Sequence, residues 1–168
     1  MARIIEVEVE SINECRIIAP IISAAILLSH NIRKDTVLII QSLRNKDKIL
    51  VVDGRTVRNL RPDFESMCGL IRSALKRRTR YGIVLKDKSK VSYSVDVMYI
   101  DVGKGMNLVD AVNSHSGMGS HALHIGAGTP LVHASTNIPI GFRRNYCISQ
   151  KITIFNYIID RVKQGIKL

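Results

Sequence analysis

The amino-acid sequence predicts an α/β domain whose mainly parallel sheet is flanked by helices. Apolar stretches of strand length alternate with helical patterns along the chain, without internal repeats or low-complexity tracts. Such alternation is typical of units that build parallel sheets. A chain of 168 residues is long enough to bury one core, so residues 1–168 are expected to form a single domain.

The chain is expected to begin with a strand and a helix. The segment Arg3–Glu10 alternates apolar and acidic side chains, which predicts a half-exposed strand. Ser11 to Glu14 has the spacing of a capping box, and the apolar stretch that follows reaches Ser29. This stretch predicts a helix buried on more than one side, with Pro20 near its start.

A hairpin and a second helix are expected next. The segments Thr36–Gln41 and Lys48–Asp53 are apolar, of strand length and separated by a polar turn, so they are expected to pair. Pro62 to Glu65 places negative charge in the first turn of a helix, and Lys76 to Arg78 places positive charge in its last turn. Both arrangements suit the helix dipole.

The second half of the chain is expected to add short strands and a closing helix. Extended stretches cover 81–85 and 94–102, a loop with one helical turn covers 103–119, short strands cover 122–125 and 137–140, and a helix covers about 152–163.

The chain is strongly basic, with 25 Lys and Arg against 14 Asp and Glu, a net charge of +11 and a pI near 9.9. Such an excess gains affinity for nucleic acid by releasing counterions, so a polyanion is the expected partner. The alternative is that these charges form solvated faces only. The candidate contacts to nucleic acid are Arg33, Lys34, Arg55, Arg58, Arg61, Arg77, Arg78 and Arg80.

The three cysteines predict neither a disulfide framework nor a zinc site. Their number is odd, no two have the Cys-x-x-Cys spacing, and a reducing cytoplasm suits them. Cys68 and Cys147 are expected to pack as buried thiols. No metal is expected from His115, His121, His124 and His133 either, because their spacing matches no ligand motif.

No membrane segment is expected. The longest apolar run, Ile17–Leu28, is too short to span a bilayer and contains Pro20. It also follows an acidic segment, whereas a signal peptide begins with basic residues. The expected location is the cytoplasm.

Two segments could carry chemistry. The turn Gly126-Ala-Gly128 follows an apolar strand, and ligands of open α/β sheets bind beyond strand carboxyl ends. A simple tight turn explains the same residues. The segment Ser29–Asp35 could present Arg33 to a phosphate and let Asp35 accept a proton, although Asp35 could equally cap a turn.

The segment Leu28-Ser-His-Asn-Ile-Arg-Lys-Asp-Thr36 resembles the archaeal tRNA pseudouridine-54 N1-methyltransferase family, which carries Ser-His-x-x-Arg-x-Asp at this point. The resemblance continues at Val52–Gly54, Leu60–Asp63, Leu123–Gly126 and Ile152–Ile154, and it is loose from about 86 to 120. It covers most of the chain.

This resemblance implies a SPOUT-type α/β fold with a deep trefoil knot near the C-terminus, an S-adenosylmethionine pocket and a homodimer. It implies that Asp35 accepts or directs the N1 proton of the pseudouridine and that Arg33 holds the nucleotide. The implied cofactor-binding residues are Ile125, Gly126, Ile140, Gly141, Phe142 and Ile148.

The chain departs from this family near the implied cofactor site. Ala127-Gly128 stands where the family has an Asp-His pair, and Lys151 replaces a cysteine. Two alternatives therefore stay open beside the tRNA enzyme. One is a methyltransferase for a pseudouridine of ribosomal RNA, and the other is a non-catalytic RNA-binding protein on the same fold.

Overall fold

The computed structural model describes residues 2–29, 31–142 and 144–166. The strands are β1 (Ala2–Val9), β2 (Thr36–Ser42), β3 (Lys48–Asp53), β4 (Thr79–Arg80), β5 (Ile83–Asp87), β6 (Tyr93–Asn107), β7 (Ser120–Ile125) and β8 (Val132–Gly141). The helices are α1 (Cys15–Ile26), α2 (Phe64–Arg77), α3 (Leu108–Ser114) and α4 (Ile148–Lys163). None of these helices combines the length and the apolar character that crossing a membrane requires.

The eight strands form one sheet in the order β4-β5-β3-β2-β1-β7-β6-β8. All neighbours from β2 to β8 are parallel, and β3, β5 and β4 extend the sheet with antiparallel pairs. The predicted α/β class with a mainly parallel sheet is confirmed, as is the hairpin of β2 and β3. We call the starts of the parallel strands the amino edge and their ends the carboxyl edge.

The helices pack on one face of the sheet only. The buried side chains of all four belong to one cluster with strand residues such as Ile5 and Leu38. The opposite face carries a second cluster whose buried members are all strand residues, including Ile39 and Ile49. Val95 and Val132, from the starts of β6 and β8, belong to it, and none of its buried members comes from a helix.

The first strand is buried on both faces, and the half-exposed strand predicted from its alternation is wrong. The side chain of Glu6 is only 1% exposed, because the segment that leads into β8 lies against it. Its carboxylate accepts hydrogen bonds from Gln41 Nε2 and from the backbone N–H groups of Leu131 and Val132. In β1, an acidic side chain in the alternating pattern forms hydrogen bonds inside the protein and is not exposed to solvent.

The first helix is shorter than predicted, and the capping box ahead of it does not form. The Ser11 hydroxyl accepts from Asn13 N at 3.2 Å, so it closes a turn before the helix. The helix ends at Ile26, three residues before Ser29. The second helix has the predicted acidic start, where Asp63 caps it by accepting from Ser66 N.

The second half of the chain is more regular than predicted. β6 runs through 103–107, where a loop was expected, and α3 forms almost two turns. Asp101 and Met106 both lie opposite Ile140 of β8, so residues 102–105 form a bulge. The last helix begins at Ile148, four residues earlier than predicted.

The predicted absence of a disulfide is wrong. A disulfide joins Cys15, at the start of α1, to Cys68 in α2, across 53 residues of sequence. Packing of the two helices brings these residues together, and sequence spacing carries no sign of it. Cys147 is exposed, so the buried packing expected for it is wrong as well.

Candidate functional site

Two cavities that share Phe142 lie at the carboxyl edge, between the ends of β6 and β8 and the start of α4. We call the first, of about 300 Å³, the apolar cavity; it is lined by Asn107, Leu108, Val109, Asp110, Gly141, Phe142, Tyr146, Ile154 and Ile158. We call the second, of about 240 Å³, the charged cavity; it is lined by Asp101, Gly103, Phe142, Arg144, Asn145 and Lys151.

Close backbone contact between the β6 bulge and the end of β8 forms one wall of the charged cavity. A Cβ added at Gly105 would lie 2.7 Å from Pro139 O, and one added at Gly141 would lie 3.0 Å from Gly103 O. Gly103 has a φ of 75° and would meet no atom within 4 Å. Glycine is therefore needed for the approach at Gly105 and for the turn at Gly103.

An ion pair lies in the charged cavity. Lys151 Nζ is 2.5 Å from Asp101 Oδ2, and the two side chains are 18% and 6% exposed. The other carboxylate oxygen of Asp101 accepts from Gly103 N at 3.1 Å. Lys151 Nζ also lies 5.4 Å from the centre of the Phe142 ring. The charged groups are thus held by both the bulge and the first turn of α4.

The glycine-rich turn after β7 is anchored by two carboxylates of β1. Gly128 N donates to Glu8 at 2.8 Å, and Leu131 N donates to Glu6 at 2.8 Å. A Cβ at Gly126 would lie 2.5 Å from a Glu8 oxygen, so the backbone passes directly over that side chain. The acidic alternation in β1 could have indicated these anchors, but alone it suggests solvent exposure.

The six predicted cofactor residues all lie at the carboxyl edge, but only some face the cavities. Gly141 lines the apolar cavity, and Phe142 lines both. Ile140 is fully buried in the core beneath them, opposite Asp101. The remaining three, Ile125, Gly126 and Ile148, do not line either cavity.

The predicted catalytic pair belongs to an ionic network at the amino edge. Arg33 pairs with Asp160 of α4, and Asp35 pairs with Lys163. Arg3, which is 1% exposed, donates to Asp160 at 2.5 Å and lies 3.3 Å from Asp35. These groups line a cavity of about 540 Å³ with Leu28, Ile32 and Lys34.

The network keeps the Asp35 carboxyl ionised. Burial raises its pKa, but the hydrogen bond from Lys163 and the charge of Arg3 together lower it more, so the pKa lies below its usual 3.8. The carboxylate can therefore accept a hydrogen bond at neutral pH. His30, the other reactive group of the predicted motif, lies outside the described residues.

Within one chain, the predicted catalytic residues lie far from the predicted cofactor-binding residues. The residue before Thr36 is level with Ser120 on β7, and Ile125 lies five residues further along that strand. Five residues of strand span about 17 Å. Asp35 and the end of β7 therefore lie at opposite edges of the sheet.

Five of the predicted RNA contacts lie at the amino edge: Arg33, Lys34, Arg55, Arg58 and Arg80. Arg78, whose carbonyl accepts from Leu85 N, lies further toward the carboxyl edge. Gly54, next to Arg55, packs against the carbonyl of Arg33, and Arg58 N donates to Tyr81 O at 3.0 Å. The Arg80 guanidinium stacks 3.9 Å from the centre of the Tyr81 ring. Tyr81 is 41% exposed and was missed by sequence reasoning. These segments form a basic surface with one aromatic ring.

Arg55, like Arg33, already has a carboxylate partner. Its guanidinium lies 3.0 Å from Asp53. The hydrogen bond and the charge of Asp53 raise its pKa above the usual value. Arg58, Arg61, Arg77 and Arg78 are exposed like Arg55.

The histidines have structural surroundings. His121 accepts from or donates to the Tyr99 hydroxyl at 2.9 Å, and burial lowers its pKa. His124 is fully buried, 3.7 Å from a Glu6 oxygen. Within residues 2–29, 31–142 and 144–166, no three His, Cys, Asp or Glu side chains cluster as a metal site would require.

A comparison with protein families identifies the class of this protein. The model of a family described as "putative SAM-dependent RNA methyltransferase" matches residues 11–119. The chain belongs to this family. The match includes Arg33, Asp35, the basic surface and Asp101, whereas β7, β8 and α4 lie beyond it. No curated protein matches the chain.

The family establishes S-adenosylmethionine as the cofactor and RNA as the substrate class. The cavities at the carboxyl edge fit this cofactor. Its adenine ring is a flat aromatic system that can stack on the Phe142 and Tyr146 rings and pack against the aliphatic side chains of the apolar cavity. Its amino-acid end carries an ammonium and a carboxylate, and the charged cavity presents groups of both signs.

Proposed function

We propose that this family member transfers the methyl group of S-adenosylmethionine to N1 of a pseudouridine, and that its target is position 54 in the tRNA T-loop. The observation that supports this most is the position of Arg33 and Asp35. They carry the motif that resembles the tRNA enzymes, and they adjoin the basic surface at the amino edge. A nucleotide turned out of the folded RNA could reach them.

In this proposal the cofactor binds at the carboxyl edge and supplies an electrophilic methyl group. The apolar cavity holds the adenosine, with the backbone of Gly141 and the ring of Phe142 beside it. Ile125, Gly126, Ile140 and Ile148 hold the loops around the cavities in place. The residues of this chain contribute alignment and exclusion of water, which a direct displacement requires.

Asp35 is proposed to accept a hydrogen bond from N1–H of the pseudouridine. A carboxylate of lowered pKa is a weak base, so it orients and polarises this proton more readily than it removes it. Arg33 is proposed to hold a phosphate of the same nucleotide, since its guanidinium is a bidentate donor. Both residues must exchange part of their contacts with Asp160 and Lys163 for contacts to RNA.

We propose a homodimer, because one chain places these residues at the edge opposite its own cofactor cavities. A second copy could bring its carboxyl edge to the Asp35 of the first. A groove of about 820 Å³ along α1 and α4 offers a surface for it, lined by small and apolar side chains such as Ala24, Leu27 and Pro62. Light scattering at micromolar concentration should give twice the chain mass.

We also propose that residues 1–168 form one SPOUT-type domain with a trefoil knot near the C-terminus. The close contact between the 102–105 bulge and Pro139–Gly141, just before the chain enters α4, supports the knot. Together with the resemblance, this contact makes 102–105 the loop through which the last strand and helix would be threaded.

The deciding experiment is nucleoside mass spectrometry after single-turnover methylation of tRNA and ribosomal RNA that contain pseudouridine. N1-methylpseudouridine at position 54 of tRNA is the expected product, and Asp35→Asn should slow its formation at least tenfold. Asp87→Asn, which removes the charge of a carboxylate paired with Lys48 at the carboxyl edge, is the matched control. Product in ribosomal RNA alone would show that the protein is a methyltransferase for ribosomal RNA. Cofactor binding without product in either RNA would indicate a non-catalytic RNA-binding protein.

A further inference from the structure

The ion pair between Asp101 and Lys151 is unusual because both charged groups line a cavity. Only 6% and 18% of their side chains are exposed, so desolvation opposes their charge. Apolar side chains would close the space between β6 and α4 at lower cost. Lys151 also lies in the first turn of α4, where the helix dipole disfavours a cation. A ligand that uses both charges would account for their presence.

An α-amino acid has the matching chemistry, since its ammonium needs an acceptor and its carboxylate needs a cationic donor. We propose that Asp101 and Lys151 bind the amino-acid end of S-adenosylmethionine, with Asp101 accepting from the ammonium and Lys151 donating to the carboxylate. This inference rests on the proposed placement of the cofactor in the cavities at the carboxyl edge. It assigns a role to Lys151, at which the chain departs from the tRNA enzymes it resembles.

The surroundings of Asp101 allow this exchange of partners. One carboxylate oxygen is held by Gly103 N, so the group stays oriented when Lys151 turns toward a ligand. A Cβ at Gly103 would meet no atom within 4 Å, so there is open space beside this contact. Arg144 lines the same cavity and provides a second cation near Lys151.

The apolar cavity completes the site. It shares Phe142 with the charged cavity, so a ligand with an apolar ring at one end and a zwitterion at the other could occupy both. The ion pair would then distinguish adenosine derivatives that keep the amino-acid group from those that lack it. S-adenosylmethionine, S-adenosylhomocysteine and 5′-methylthioadenosine differ in this way.

The test is calorimetric titration of the full chain with these three ligands. Lys151→Met and Asp101→Asn should each weaken S-adenosylmethionine and S-adenosylhomocysteine about tenfold or more, as expected for the loss of a charge-assisted hydrogen bond. Binding of methylthioadenosine should change less than about twofold, within the range of a lost peripheral contact. Lys104→Met, at an exposed lysine of the same bulge, is the control and should leave all three affinities unchanged.

A double variant separates ligand binding from a purely structural role. Asp101→Lys combined with Lys151→Asp keeps an ion pair but exchanges the positions of its charges. We expect the single variants to lower the melting temperature and the double variant to restore it. The affinity for S-adenosylmethionine should stay low in the double variant. Restored affinity would overturn the inference, and so would an equal loss of methylthioadenosine binding in the single variants.

The result also separates this inference from the proposed function. If the wild-type chain binds S-adenosylmethionine and both single variants bind it equally well, the ion pair does not contact the ligand and the proposed methyl transfer stands. If the wild-type chain binds none of the three ligands, the placement of the cofactor and the inference both fail.

Discussion

The carboxylate of Glu8 lies directly beneath Gly128, whose backbone N–H donates to it at 2.8 Å. The same side chain fills the space that a Cβ at Gly126 would occupy, 2.5 Å from a carboxylate oxygen. A strand at the centre of the sheet therefore sets the path of the glycine-rich turn. Any side chain at Gly126 must displace Glu8 and break its hydrogen bond to Gly128.

Gly126→Ala should lower the melting temperature and weaken binding of S-adenosylmethionine, because Glu8 must move and release the backbone N–H of Gly128. In a Glu8→Ala background the same change should have little effect, since the clashing group is gone. We expect a coupling free energy of about 1 kcal/mol or more from this double-mutant cycle, measured by urea unfolding. Gly69→Ala, where a Cβ meets no atom within 4 Å, is the control. Additive effects would contradict the proposed clash.

Reduction of the Cys15–Cys68 disulfide should destabilise the protein. The bond closes a loop across 53 residues of sequence, which the chain-entropy estimate values at about 4 kcal/mol. Thermal unfolding should therefore occur at lower temperature with a reductant present, and Cys15→Ser should reproduce the shift without it. Cys147→Ser should keep the full response to reductant. Equal melting curves with and without reductant would show that the bond does not contribute.

The contribution of Asp35 to stability should depend on pH. Its pKa in the folded protein lies below the usual 3.8, because Lys163 and Arg3 outweigh the effect of burial. The stabilisation is therefore complete above the pKa of the unfolded chain and is lost as the pH falls through the folded value. Urea unfolding should show wild type more stable than Asp35→Asn at pH 7, with the gap narrowing below about pH 4. The difference in stability between wild type and Lys163→Met should narrow over the same pH range. A difference that stays constant with pH would contradict the ion pair between Asp35 and Lys163.

Cys147 should react with iodoacetamide at lower pH than an ordinary thiol. The hydrogen bonds from the Ser149 side chain and then from the Gln150 backbone lower its pKa below the usual 9.0. The alkylation rate should rise with a midpoint below that value, and Ser149→Ala should shift the midpoint upward. Saturating S-adenosylmethionine should slow the reaction, because Tyr146 lines the apolar cavity next to this thiol. Unchanged alkylation with the ligand bound would argue against cofactor binding there.

Local patterns predicted most of the secondary structure. The span of β3 matched the expected Lys48–Asp53, and the α2 cap at Asp63 followed from its acidic first turn. The sequence did not reveal features set by distant contacts. Glu6 is buried because the segment that leads into β8 lies against it, and Cys15 meets Cys68 because two helices pack together. Neither relationship has a periodicity that a local window can detect.

The candidate site was predicted in outline only. Gly141 and Phe142 were expected at the cofactor and do line the cavities. Asp101 was not singled out, because it lies in an extended stretch whose bulge depends on pairing with β8. The ion pair between Arg33 and Asp160 was also not predicted, because it forms only when the end of α4 lies at the amino edge. Contacts between residues that are far apart in the sequence cannot be predicted from the spacing of residues in a motif.

The last helix connects the two edges of the sheet. Its 16 residues give it a length of about 24 Å, with Lys151 in the charged cavity at one end and Asp160 and Lys163 in the ionic network at the other. A rigid rod cannot slide or tilt at one end without moving the other. A displacement of α4 at the charged cavity would therefore also move Asp160 and Lys163, the side chains that hold Arg33 and Asp35. One helix thus fixes the distance between the groups at the two edges.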